Sequence, residues 1–138
     1  LQAAILLGQL ETYPVVKQLK AKVFETYRSE LNGVDGIHLQ TITPGTEHSN
    51  WMFGVRFEGL DAKVLAKWFI DRGVETRPMF YPISAHKHLE HSFPIKRYPV
   101  ADKLSKETLM FPSYPELGND QEFVIKCIKQ ARALSLSE

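Results

Sequence analysis

Residues 2 to 13, QAAILLGQLETY, set Ala3, Ala4, Ile5, Leu6, Leu7, Leu10 and Tyr13 on one short helical segment that is apolar on nearly all sides. A surface helix needs a single apolar stripe, so this segment predicts burial from several directions by something larger than itself. The helical pattern is already under way at Leu1, with neither an initiator methionine nor a capping residue, and the expectation is a piece of a longer protein. Pro14 lacks a backbone donor and is expected to kink or break the helix. From Val15 onward the pattern turns amphipathic, with Val16, Leu19, Val23, Tyr27 and Leu31 at helical spacing and Lys17, Lys20, Lys22 and Glu25 between them. Asn32-Gly33 supplies the left-handed end.

The next elements alternate. GIHLQ reads as a short strand before a polar loop around Pro44-Gly45, and WMFGVRFEG as a strand with Trp51, Phe53, Val55 and Phe57 on one face. Asp61 is placed to cap a helix whose stripe is Val64, Leu65, Trp68 and Phe69 and whose end is Arg72-Gly73. VETR follows as a second short strand. A short helix from Tyr98 to Glu107, a strand in TLMFPSYP and a helix from Asn119 to Leu134 complete the chain. The last begins with the capping-box pair Asn119 and Glu122 and continues through Phe123, Val124, Cys127, Ile128, Ala131 and Leu134. The fold class implied is α/β in the layered α+β sense. Helices pack on one face of a small mixed or antiparallel sheet of three to four short strands, behind a long N-terminal helix kinked near Pro14. At 138 residues the whole chain, 1–138, reads as one domain.

Composition excludes several classes of function. Seventeen basic against sixteen acidic side chains leave a net charge of +1, with no Lys/Arg surplus to displace counterions from phosphates, so a general nucleic-acid partner is not expected. The longest apolar run, Ala3 to Leu7, is too short to span a bilayer and lacks the basic flank of a signal peptide, and a cytoplasmic protein is expected. A single cysteine, Cys127, rules out an intrachain disulfide and multi-cysteine zinc sites. It lies on the stripe of the last helix, where core is the expected role. His86, His88 and His91 fit neither a helical nor a strand metal spacing, even with Glu90 nearby, so no metal site is expected.

One segment stands out as more than scaffold: GVETRPMFYPISAHKH, residues 73 to 88. Arg77, just past a predicted strand and fixed from behind by Pro78, can present its planar fork to a carboxylate or phosphate. Phe80 and Tyr81 can flank a flat ligand, and Pro82 holds the loop extended. The plainer alternative is that Arg77 pairs with a surface carboxylate while Phe80 caps the core.

Four blocks in order, LQAAILLGQLE, HSNWMFGVRF, GVETRPMFYPI and LMFPSYPEL, resemble the sugar aminotransferases of the DegT/DnrJ/StrS family over essentially the whole chain. The resemblance implies the C-terminal part, chiefly the small domain, of a fold-type I pyridoxal-phosphate enzyme. Such enzymes carry an amino group, usually from glutamate, to a keto carbon of a nucleotide-linked sugar in two half-reactions. In the family the Schiff-base lysine, the carboxylate at the pyridine nitrogen and the phosphate cup belong to the large domain. The resemblance therefore implies that this domain is absent, that the chain holds no catalytic or cofactor-binding residue, and that alone it binds no pyridoxal phosphate, although the parent does. It implies a substrate-binding role for Arg77, Phe80, Tyr81 and, beside them, Trp51, at the mouth of an active site shared by a homodimer. The partners implied are the large domain or a second subunit, and a nucleotide sugar. Met79 and Ser84 stand where many relatives carry histidines, and the T-R-P-x-F-Y-P form resembles members that aminate a 4-keto-6-deoxy sugar, as in perosamine synthesis. The alternative is a truncated, free-standing remnant that binds a ligand or protein without catalysis, or that self-associates through its first helix.

Overall fold

A computed structural model describes residues 1–89 and 98–134. Glu90 and His91, weighed above as metal ligands, lie outside the described residues. The first helix, α1 (Gln2–Leu31), runs through Pro14 without a break. Proline there removes the bond to the Leu10 carbonyl, but the position is exposed, so water can take the bond's place. Asn32 leaves the helix in an extended conformation and Gly33, at φ 78°, turns the chain as a side chain could not do without strain.

Four short strands follow: β1 (Ile37–Leu39), β2 (Phe53–Phe57), β3 (Arg77–Pro78) and β4 (Thr108–Phe111). They make one sheet in the order β1-β2-β4-β3, every pair antiparallel. Between them lie α2 (Ala62–Ile70), α3 (Pro99–Glu107) and two single 3-10 turns (Ile83–Ala85 and Lys87–Leu89); α4 (Asp120–Leu134) closes the fold. Asp61 caps α2 as expected, its carboxylate accepting the Lys63 backbone N–H at 2.7 Å.

The alternation of β2 decides where the core sits. Phe53, Val55 and Phe57 face inward, opposite Phe111 and Leu109 of β4, and meet Val23, Phe24, Tyr27 and Leu31 of α1, Leu65 and Phe69 of α2, and Ile125, Cys127 and Ile128 of α4. Rings of Phe57, Phe69 and Phe111 lie 5.0 to 6.1 Å apart, and Tyr27 stacks on Phe53 at 4.5 Å. Two long-range polar ties fix α1 to the rest. The Tyr27 hydroxyl donates to the Pro112 carbonyl at 2.9 Å, and the buried Gln121 amide donates to the Val23 carbonyl at 2.6 Å. Gly36 combines a φ of 65° with close approach of Arg132, whose guanidinium bonds the Asp35 and Glu58 carbonyls; a Cβ at Gly36 would stand 2.0 Å from that side chain.

Several expected inward residues point outward. Val64 and Phe123 are exposed because each sits at the edge of its stripe, and Val16 and Leu19 because they precede Val23, the first buried residue of α1. Trp51 precedes β2 instead of opening it, and is exposed. The predicted VETR strand shrinks to Arg77–Pro78, so Arg77 lies in the strand and not past it. The apolar segment before Pro14 is not buried by the other described residues: Ile5, Leu6, Leu7, Leu10 and Tyr13 are all more than half exposed.

A candidate ligand rim at the open edge of the sheet

Strand β3 is the sheet's edge, and its register sets what Arg77 can do. Arg77 lies opposite Met110, which in turn lies opposite Gly54. Residues directly opposite one another share a face, so all three are on the face turned away from the helical core. The Met79 N–H donates to the Thr108 carbonyl at 3.3 Å and extends the pairing by one bond before the chain leaves the sheet. Arg77 itself is 78% exposed, and its nearest carboxylate, Glu75, stands 3.7 Å away in solvent. A pair of that length and exposure contributes little and leaves the guanidinium fork open to a better acceptor. Phe80 is 63% exposed, so it does not cap the core.

Two hollows flank this edge. One, of about 790 Å³, is bounded by Arg77 and Glu75, by Trp51 and Met110, by Lys20 of α1, and by Tyr114 and Phe123 near the start of α4. The other, of about 780 Å³ and mainly apolar, lies between α2, α3 and the loop carrying Phe80 and Tyr81. The four predicted residues therefore do not converge on one pocket. Trp51 and Arg77 line the first hollow, Phe80 and Tyr81 the second, and the near-parallel rings of Trp51 and Phe80, 6.3 Å apart, stand between the two. Tyr81 also meets the His86 ring edge-on at 5.8 Å, and His86 meets His88 at 5.4 Å. Among the described residues no group of three or more His, Cys, Asp and Glu side chains could hold a metal ion.

Sequence reading missed Lys20. Its ammonium donates to the Trp51 carbonyl at 2.8 Å and lies 5.6 Å from the centre of the Phe24 ring. Burial against that ring lowers its pKa from the usual lysine value. Nothing in its helical position signals this, since the partner lies 31 residues away. Tyr114 and Phe123 were likewise missed as hollow-lining residues. Cys127 is buried in the core as expected, and burial pushes its thiol above the usual range, away from nucleophilic use. Among the described residues no helix is long and apolar enough to cross a membrane.

The helix-backed antiparallel sheet behind its long first helix is a fold shared with solved structures that include sugar aminotransferases. DesV of S. venezuelae, solved in complex with a ketimine intermediate, superposes with a TM-score of 0.85 at 25% identity, over 95% of this chain and 36% of its own. The aminotransferase TlmJ of Streptoalloteichus hindustanus gives 0.80 at 25% identity, over 94% and 35%. Residues 1–129 match the DegT/DnrJ/EryC1/StrS aminotransferase family, and the chain belongs to it. A curated relative, the GDP-perosamine synthase of Vibrio cholerae, is 31% identical over 132 residues, 92% of this chain and 35% of the relative. The chain thus spans about a third of the length of the proteins it matches.

Proposed function

We propose that this chain is the C-terminal small domain of an aminotransferase that moves an amino group, from glutamate, onto the keto carbon of a nucleotide-linked sugar. The observation that carries this reading is the match over 132 residues to GDP-perosamine synthase, which covers 92% of the chain. In that reading the parent is a cytoplasmic homodimer, the remaining two-thirds of the protein supplies the large domain, and the chain is inactive by itself. Residues 1–138 act as one unit that forms the wall of an active site and not its floor.

Pyridoxal phosphate supplies the electron sink for such a transfer when it is bound. It needs a lysine free to condense with it, an acid at its ring nitrogen and a cradle of donors for its phosphate. The residues of the hollow beside Arg77 do not fit that set. Lys20, the lysine beside Arg77, gives its ammonium to the Trp51 carbonyl, while Glu75 and Asp120, the carboxylates of the same hollow, are exposed on its lip. No step is assigned through the cofactor here. What these residues can do is bind and orient. Arg77 offers a bidentate fork to a carboxylate or phosphate, and Trp51, Phe80 and Tyr81 offer flat apolar faces to a base or sugar.

Arg77→Ala in the full-length protein tests this. kcat/KM for the nucleotide sugar or the amino donor is expected to fall by about tenfold or more, with the cofactor absorbance unchanged. Unaltered kinetics with both substrates would remove Arg77 from the site. Cofactor retained by the 138-residue chain after dialysis, and lost on replacing one lysine, would overturn the reading of a domain without its own chemistry.

A further inference from the structure

Trp51 presents its ring to solvent, 66% exposed, yet its backbone is tied to α1 and follows a constrained residue. On one side its carbonyl receives Lys20 Nζ from α1. On the other is Asn50, at φ 52° the one non-glycine residue with positive φ among the described residues. Asparagine tolerates this conformation better than most residues, but it still carries strain that its surroundings must offset. The offset comes from His48. The Asn50 backbone N–H donates to His48 Nδ1 at 3.0 Å, the other ring nitrogen, Nε2, is 3.0 Å from Gln40 Oε1, and the imidazole packs at 5.6 Å on Phe24, a core residue.

This geometry fixes the proton on the ring. A backbone N–H can only donate, so Nδ1 carries a lone pair, and the proton sits on Nε2, where it donates to Gln40. The Asn50 side-chain Oδ1 also stands 3.0 Å from Nδ1, an acceptor facing an acceptor, which turning the amide over to present its NH₂ relieves. Protonation reverses these roles. Nδ1–H would then donate to Asn50 Oδ1 as it stands, and would repel the backbone N–H that holds φ positive. The charged groups around this imidazole are Lys20, over the same Phe24 ring, the Lys17–Glu47 pair, and Arg28, which bonds the Gln40 carbonyl.

We propose that neutral His48 is a positioning residue: through Asn50 it aims Trp51 at Phe80, and its protonation releases that aromatic plate. The functional weight of the plate rests on the reading of the rim given above, whereas the control of Trp51 by His48 does not.

The test is fluorine NMR on the full 138-residue chain labelled with 5-fluorotryptophan. The sequence holds two tryptophans, and Trp68→Phe assigns them. Between about pH 8 and about pH 5, the range in which imidazoles titrate, the Trp51 resonance is expected to shift while that of Trp68 stays. In His48→Asn, which keeps a neutral acceptor near the place of Nδ1, Trp51 is expected to hold its high-pH position throughout. In His48→Leu it is expected at the low-pH position throughout. A Trp51 signal indifferent to pH in the unsubstituted chain, or one that titrates equally in His48→Asn, overturns the proposal. In the full-length enzyme, Trp51→Ala separates the two readings. An unchanged KM for the nucleotide sugar, with the fluorine results as expected, would sink the rim and leave the role of His48 standing.

Discussion

The two halves of α1 have similar apolar content and opposite fates. From Val23 to Leu31 the helix lies on the sheet and α4, with Phe24, Tyr27 and Leu31 at most 2% exposed. Before Pro14, Ile5, Leu6, Leu7 and Leu10 stand in solvent. The second half has its apolar residues on the stripe its neighbours cover. The first has them all round, and a body that covers one side cannot bury them. Apolar content alone does not say where the core is; its angular width on the helix does.

The contrast can be broken most directly at Leu31. Leu31→Ala removes a fully buried side chain and is expected to cost about 2–5 kcal/mol, read as a lowered urea midpoint. If Leu7→Ala cost as much, the open half would be part of the same core, and the contrast would fail; the expected change is within about 0.5 kcal/mol. Between these lies Tyr27→Phe, which strands the Pro112 carbonyl and is expected to cost about 1 kcal/mol. Burial raises the Tyr27 pKa well above its ordinary value of 10.0. The neutral phenol is therefore the form the fold favours, so its contribution is complete below about pH 10 and declines as pH rises beyond it. Urea midpoints at about pH 9 and about pH 11 should diverge more in the parent chain than in Tyr27→Phe. The smallest effect belongs to Glu47→Gln in the loop before β2. Its 2.6 Å pair with Lys17 is solvated on both sides, and no measurable change in midpoint is expected.

Much of the fold is legible in the residues themselves because it is local. Asp61 announces the start of α2, Gly33 the end of α1, and the alternation of Phe53, Val55 and Phe57 the face of β2. What sequence could not supply depends on distant partners. Val64 and Phe123 sit at stripe edges, where only the neighbouring element decides between core and solvent. Trp51 continues the β2 alternation in sequence, but the strained Asn50 precedes it and β2 begins only at Phe53. Arg77 was legible as a cation beside a proline. That it shares a hollow with Trp51 and not with Tyr81 follows from the β3–β4 register, which no short-range signal carries.

The bond from Gln121 to the Val23 carbonyl joins residues 98 positions apart, and β4, in the middle of the sheet, is its last strand to be made. During synthesis, then, the buried half of α1 leaves the ribosome long before β4 and α4, which cover it in this fold, are made. The sheet has no centre until residue 111 emerges, and α1 has no seat until α4 follows. Between the emergence of residue 31 and the completion of α4, this stretch of helix carries leucine and aromatic side chains without the partners that bury them in the fold, an interval that favours aggregation.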